Sequence, residues 1–127
     1  MPINYVLVEK GTPFDPAAPK KYYAQVKSKG ETTLRELSEN ISDMSSLSSA
    51  DVFAMMEAML STIPQELLSG RIVKLGDFGS FYTVVTGKGS DKKNEFNKSL
   101  IDKVEIKFRP GKIIKNLLKD AKFKKID

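Results

Sequence analysis

One change in apolar spacing constrains this chain's fold more than any other feature. From Thr33 to Leu68 apolar residues recur at helical intervals, and from Arg71 onward they alternate with polar ones. A helical period followed by a period of two fits neither an all-helical nor an all-β chain, so the expected class is α+β.

The helical part opens on Thr33-Leu34-Arg35-Glu36, a capping box in which hydroxyl and carboxylate satisfy amides that lack an intrahelical partner. Leu34, Leu37, Ile41 and Met44 then form one stripe. Ser48-Ser49-Ala50-Asp51 is a second capping box, and it leads into Val52, Phe53, Met55, Met56, Met59, Leu60, Ile63, Leu67 and Leu68. That stripe is too wide for a helix with one neighbour, which predicts burial on two sides. Pro64 predicts a bend or break near Ile63, and Gly70 a stop. The methionines read as core packing rather than as a groove for a partner.

Beyond Gly70, residues 71–75 (RIVKL) and 80–86 (SFYTVVT) read as strands joined by a turn at Gly76-Asp77-Phe78-Gly79. Residues 104–108 (VEIKF) alternate cleanly, predicting one buried face and one wet face. Phe78 and Phe81 are expected in the core. Residues 87–99 (GKGSDKKNEFNKS) form a long loop or a protruding ribbon. After Pro110-Gly111, residues 112–121 (KIIKNLLKDA) place four aliphatic side chains on one helical face and Lys112, Lys115 and Lys119 largely on another. The tail, residues 122–127, is short and basic. Ahead of all this, residues 3–9 (INYVLVE) and 22–26 (YYAQV) read as short strands around an irregular connection with three prolines. Two strands alone are marginal, so this ribbon must pack on something. Tyr5, Tyr22 and Tyr23 read as its hydrophobic anchors, with base stacking as their other possible use.

Composition narrows the function. The 127 residues, 40% hydrophobic and 29% charged, suit one domain or a small domain with an appendage. No apolar run approaches the roughly 18 residues of a membrane span, and the N-terminus lacks a signal-peptide pattern. Cysteine and histidine are absent, which excludes disulfides, zinc fingers and Ser-His-Asp or Cys-His catalysis. Gly87-Lys88-Gly89-Ser90 is too short and wrongly placed to cradle a nucleotide. Charge is asymmetric. Residues 1–70 carry six basic and nine acidic residues, a net of −3, and residues 71–127 carry fifteen and seven, a net of +8. Such a distribution suits a polyanion, with a lysine-rich solubilising surface as the plain alternative.

Within this order of elements, the run from Gly70 to Phe81 (GRIVKLGDFGSF) resembles the strand–turn signature of the bacterial HU and integration-host-factor proteins. Phe108-Arg109-Pro110-Gly111-Lys112 with Lys115 resembles the entry to their last helix, and Leu47-Ser48 before the long amphipathic helix is similar to the start of their second. The likeness covers about residues 33–121, and the first strand pair resembles the extension of longer HU-related proteins. It implies an α+β, HU-like fold: two N-terminal helices, an antiparallel sheet with a protruding β-arm, and a short C-terminal helix, in an intertwined dimer. Residues 31–127 would be the DNA-binding domain and residues 1–30 an N-terminal β extension. A basic saddle and two arms would hold bent double-stranded DNA. The residues point to a dimer independently, because the apolar helices exceed what one short sheet can cover.

Arg71, Lys74 and Arg109 are then expected to face the saddle. Lys112 and Lys115 would add charge to the amides of a helix start, and Lys88, Lys92, Lys93 and Lys98 would line the arm. In the family, a proline near the arm tip wedges between base steps. Here no proline occurs between Gly87 and Val104, and residues 88–99 hold four lysines against Asp91 and Glu95 with no arginine. Phe96 could be a wedge, although packing on its own strand is the plainer use. These features imply contact by charge alone. The expected protein is a homodimeric, sequence-tolerant binder of double-stranded DNA in the bacterial cytoplasm and nucleoid. It would have no catalytic residue, metal, cofactor, membrane or small-molecule substrate. The alternative is an HU-like interaction module with decayed arms, whose N-terminal ribbon docks a partner.

Overall fold

The computed structural model describes residues 1–11 and 14–126, so Thr12 and Pro13 of the irregular connection and Asp127 of the tail lie outside the described residues. The chain forms two compact units, Met1–Thr33 with Leu117–Asp127, and Leu34–Asn116.

In the first unit, β1 (Ile3–Lys10) and β2 (Lys21–Val26) pair antiparallel, with Val8 opposite Tyr23 and Lys10 opposite Lys21. Between them Asp15 closes a turn, its carboxylate accepting from the Ala17 amide at 3.1 Å. The expected ribbon is not left as two strands. Residues Phe123–Lys125, inside what the sequence suggested was only a basic tail, form β6, which runs parallel to β1 and completes a three-stranded sheet ordered β2-β1-β6. The Ile3 amide donates to the Lys122 carbonyl at 2.7 Å, and the Ile126 amide to the Tyr5 carbonyl at 2.9 Å.

The second unit contains two helices and a second sheet. Helix α1 (Leu34–Asp43) packs on α2 (Ser49–Leu68) through the face of Leu34, Ser38 and Ser42. The Ser38 hydroxyl is buried between the Leu34 carbonyl (2.8 Å) and the Met56 sulfur (3.4 Å). The Leu37–Ile41–Met44 stripe is therefore not the seam to α2 and remains exposed. Ser48 caps α2 as expected, accepting from the Asp51 amide at 3.2 Å. The helix runs through Pro64 without breaking. Proline removes one amide donor, but ending there would release Leu67, which is 2% exposed and, with Val52, one of the two fully buried hydrophobic residues among those described.

The sheet order is β3-β4-β5, formed by Val73–Lys74, Gly79–Gly87 and Ile101–Pro110. The single turn of 3₁₀ helix Gly76–Phe78 joins the first two. Two of the segments that carried the family resemblance, Gly70–Phe81 and Phe108–Lys112, meet here. The Gly111 amide donates to the Phe78 carbonyl at 2.8 Å, and a Cβ on Gly111 would collide with the Asp77 carbonyl. Gly79, at φ +152°, packs against Arg109 and the Phe108 ring in the same way. The Phe81 and Phe108 rings pack at a tilt with centres 4.8 Å apart, but neither residue expected in the core is fully buried: Phe81 is half-buried and Phe78 half exposed. Helix α3 (Lys112–Leu118) is shorter than the sequence pattern predicted.

The expected β-arm needs correction. The ladder ends at Gly87 opposite Ile101, after a register shift at Thr86/Gly87. Beyond it the chain makes two 3₁₀ turns, Lys93–Glu95 and Lys98–Leu100. Local side-chain bonds shape this segment: Ser90 donates to the Lys92 carbonyl (2.7 Å) just ahead of the first turn, and Asn97 caps the second by accepting from the Ser99 amide (3.0 Å). Such bonds compete with strand pairing for the backbone.

Candidate nucleic-acid interface

Directly opposed residues of an antiparallel ladder share a face. The register Lys74↔Ser80↔Arg109, Tyr82↔Lys107, Val84↔Glu105 and Thr86↔Lys103 therefore places Lys74, Lys103, Lys107 and Arg109 on one face of β3-β4-β5. Val73, Phe81, Thr83, Val85, Val104, Ile106 and Phe108 occupy the other.

Arg71, Lys74 and Arg109 come together around a cleft of about 340 Å³ that Ser80 and Tyr82 also line. The Arg109 guanidinium lies 5.0 Å from the Tyr82 ring centre, a stacking that holds its planar fork of donors in place. Arg71 is 3.8 Å from Glu66, a loose surface pair that leaves its side chain 78% exposed. Further along β5, Glu105 takes Lys103 at 2.7 Å and Lys107 at 3.3 Å. The hydrogen bond from Lys103, then that from Lys107, holds the Glu105 carboxyl below the usual carboxylate range.

The other expected residues lie elsewhere. Lys88, Lys92, Lys93 and Lys98 are exposed on the loop after Gly87, and Phe96 there is half exposed. Lys112 and Lys115 are exposed on α3, whose seven residues leave little macrodipole to assist them. None of these six lines the cleft. Lys103, Lys107 and Tyr82 were not singled out from sequence. The signal was present, since the alternation that marks Val104, Ile106 and Phe108 as one face assigns Lys103, Glu105, Lys107 and Arg109 to the other.

Charge is sorted by element. Residues 34–70 hold one basic and six acidic residues, a net of −5, and residues 71–116 hold eleven and five, a net of +6. Among the described residues no cluster of acidic side chains could hold a metal ion, and no helix is long and apolar enough to cross a membrane.

The chain is thus a mixed α+β protein whose β3-β4-β5 sheet has one predominantly cationic face. Over residues 1–125 the chain matches the HU-HIG family, described as an HU domain fused to a winged helix-turn-helix, Ig or glycine-rich motif, and it belongs to that family. It is also similar to a crystallographically solved protein of Bacteroides vulgatus ATCC 8482 that is assigned, not shown, to be a bacterial DNA-binding protein. The TM-score is 0.67 at 13% identity, which establishes likeness of fold alone. The match covers 98% of this chain and 48% of that one, so the chain spans about half that protein's length. No curated protein matches.

Proposed function

We propose that this chain is an architectural DNA-binding protein of the bacterial nucleoid that holds duplex DNA as a homodimer, without reading its sequence and without catalysis. The convergence of Arg71, Lys74 and Arg109 on the wet face of β3-β4-β5 carries this reading. Cations so placed meet phosphate oxygens, which position a protein on a duplex but give no base information. Lys88, Lys92, Lys93 and Lys98 extend the contact by charge, and Lys112 and Lys115 add to it from α3. In this reading residues 31–127 are the HU-like domain, and residues 1–30 are an N-terminal β extension whose sheet is completed by Phe123–Lys125 from that domain's end.

The homodimer is supported by what one copy leaves uncovered. Leu37, Ile41, Met55, Met59, Leu60, Val85, Val104 and Ile106 are 37–58% exposed. They lie on both long helices and on the apolar sheet face, where the alternation of β5 called for burial. A second copy of the same chain would supply the missing neighbours.

A duplex titration at several salt concentrations tests the reading. Log affinity should fall with log salt by about 0.9 per phosphate contacted, and changing the duplex sequence should matter little. Salt-insensitive binding, or none at low salt, favours a second reading as a protein-interaction module. That reading has its own support: Glu105 pairs with two lysines of the wet face and offsets one of their two charges, and the Leu34–Asn116 unit carries twelve basic against eleven acidic residues.

A further inference from the structure

The β2-β1-β6 sheet has a charge pattern of its own. Its unit, Met1–Thr33 with Leu117–Asp127, holds nine lysines and five acidic residues, so a net +4 of the chain's +5 resides there. Sequence order hides this by placing those lysines near the two ends of the chain. Register sorts the sheet into two faces. Asn4, Val6, Val8 and Lys10 share one with Lys21, Tyr23, Gln25 and Lys124, and Glu9 falls on the opposite face.

The first face has three unusual properties. Lys10 and Lys21 are directly opposed, an arrangement that costs stability unless an anion lies between them. The face carries no carboxylate, and among the described residues Lys10, Lys21 and Lys124 form no ion pair, whereas Lys103 and Lys107 of the other sheet share Glu105. The cations also stand at the ends of the face and not in its middle. Lys124 is opposite Asn4, six residues along β1 from Lys10, which is about 20 Å. Between them lie Val6, Val8 and Tyr23, whose ring is 48% exposed with the Lys10 ammonium 6.0 Å from its centre.

We propose that this face binds single-stranded DNA, with backbone phosphates at Lys10, Lys21 and Lys124 and unpaired bases over Tyr23, Val6 and Val8. A duplex keeps its bases stacked inside and presents phosphates outward, so an apolar, aromatic middle gains nothing from it. A single strand offers a base face to the ring and phosphates to the cations on either side. The amides of Asn4 and Gln25 offer hydrogen bonds to base edges of any sequence. This inference rests on the chain being a DNA-binding protein but uses none of the residues placed in the duplex interface.

The full chain contains no tryptophan, so Tyr23→Trp introduces one fluorescent reporter in the middle of the face. Oligo-dT should quench it, added salt should reverse the quench, and the Lys74→Glu/Arg109→Glu background should leave the quench in place. Lys10→Gln/Lys21→Gln/Lys124→Gln, in an otherwise unchanged chain, should weaken oligo-dT binding on the order of tenfold with an unaltered circular dichroism spectrum. Equal quenching by a duplex would overturn the preference for single strands. Loss of the quench in the Lys74/Arg109 background would place the strand on the other sheet and overturn the proposal. No quench with either DNA, while labelled duplex still binds by anisotropy, removes this site and leaves the duplex reading standing. Absence of binding by every readout removes both.

Discussion

Glu105 is the counter-ion that the wet face supplies to itself. A carboxyl held below its ordinary range stabilises the fold while charged, so its contribution is complete at neutral pH and is lost as pH falls through the folded value. An NMR titration should place Glu105 below the usual carboxylate range, and Lys103→Gln/Lys107→Gln should raise it back toward that range. For DNA the carboxylate works in the opposite direction, because it occupies two lysines that a phosphate could use. Glu105→Gln should therefore raise duplex affinity several-fold and steepen the salt dependence by up to about 0.9 for each lysine released. An unchanged slope would mean that β5 does not face the DNA. Gly111 tests the fold separately from binding. A methyl group there must displace the Asp77 carbonyl, so Gly111→Ala should cost about 1–3 kcal/mol in denaturant unfolding whether or not DNA is present.

Elements divide the proposed contact. Deleting residues 88–99 should weaken duplex binding only moderately, because that loop carries charge without a proline wedge or arginine. Lys112→Glu/Lys115→Glu should weaken binding to all duplexes about equally and leave the circular dichroism intact, since both side chains are exposed. If the reversal binds normally and the deletion abolishes binding, the loop is the main site. Legibility in the sequence also varied by element. The Ser48 cap of α2, the glycine turn and the alternation of β5 are local patterns and were legible, whereas Arg71, Lys74 and Arg109 were expected together only through the family resemblance. Strand β6 could not. It has three residues, two of them lysine, and its partner β1 is about 120 residues away, so no window of periodicity contains both. The stripe of α1 was legible as apolar, but not which neighbour it would meet, because Ser38 rather than Leu37 faces α2.

At the scale of the whole molecule, the uncovered apolar surface predicts an obligate pair. Leu60, 52% exposed in one copy, should tolerate Asp in an isolated chain but cost several kcal/mol once buried by a second. The stability of Leu60→Asp relative to the parent should accordingly depend on protein concentration. Sedimentation showing a fully folded parent monomer at micromolar concentration would contradict the dimer. The burial that sequence patterning called for on β5 and α2 is absent from one copy, and in the proposed dimer the second copy would supply it. The parallel pairing of β1 with β6 has a separate consequence, for the order of events during synthesis. When Val26 has left the ribosome, β1 and β2 can pair, but the remaining edge of β1 has no partner until Phe123–Lys125 are made, nearly one hundred residues later. At 5–20 residues per second that is about 5–20 s. For that interval the nascent chain displays an open strand edge, the kind of surface that pairs with other chains, so both long helices and the whole β3-β4-β5 sheet are synthesised before the β1 edge is covered.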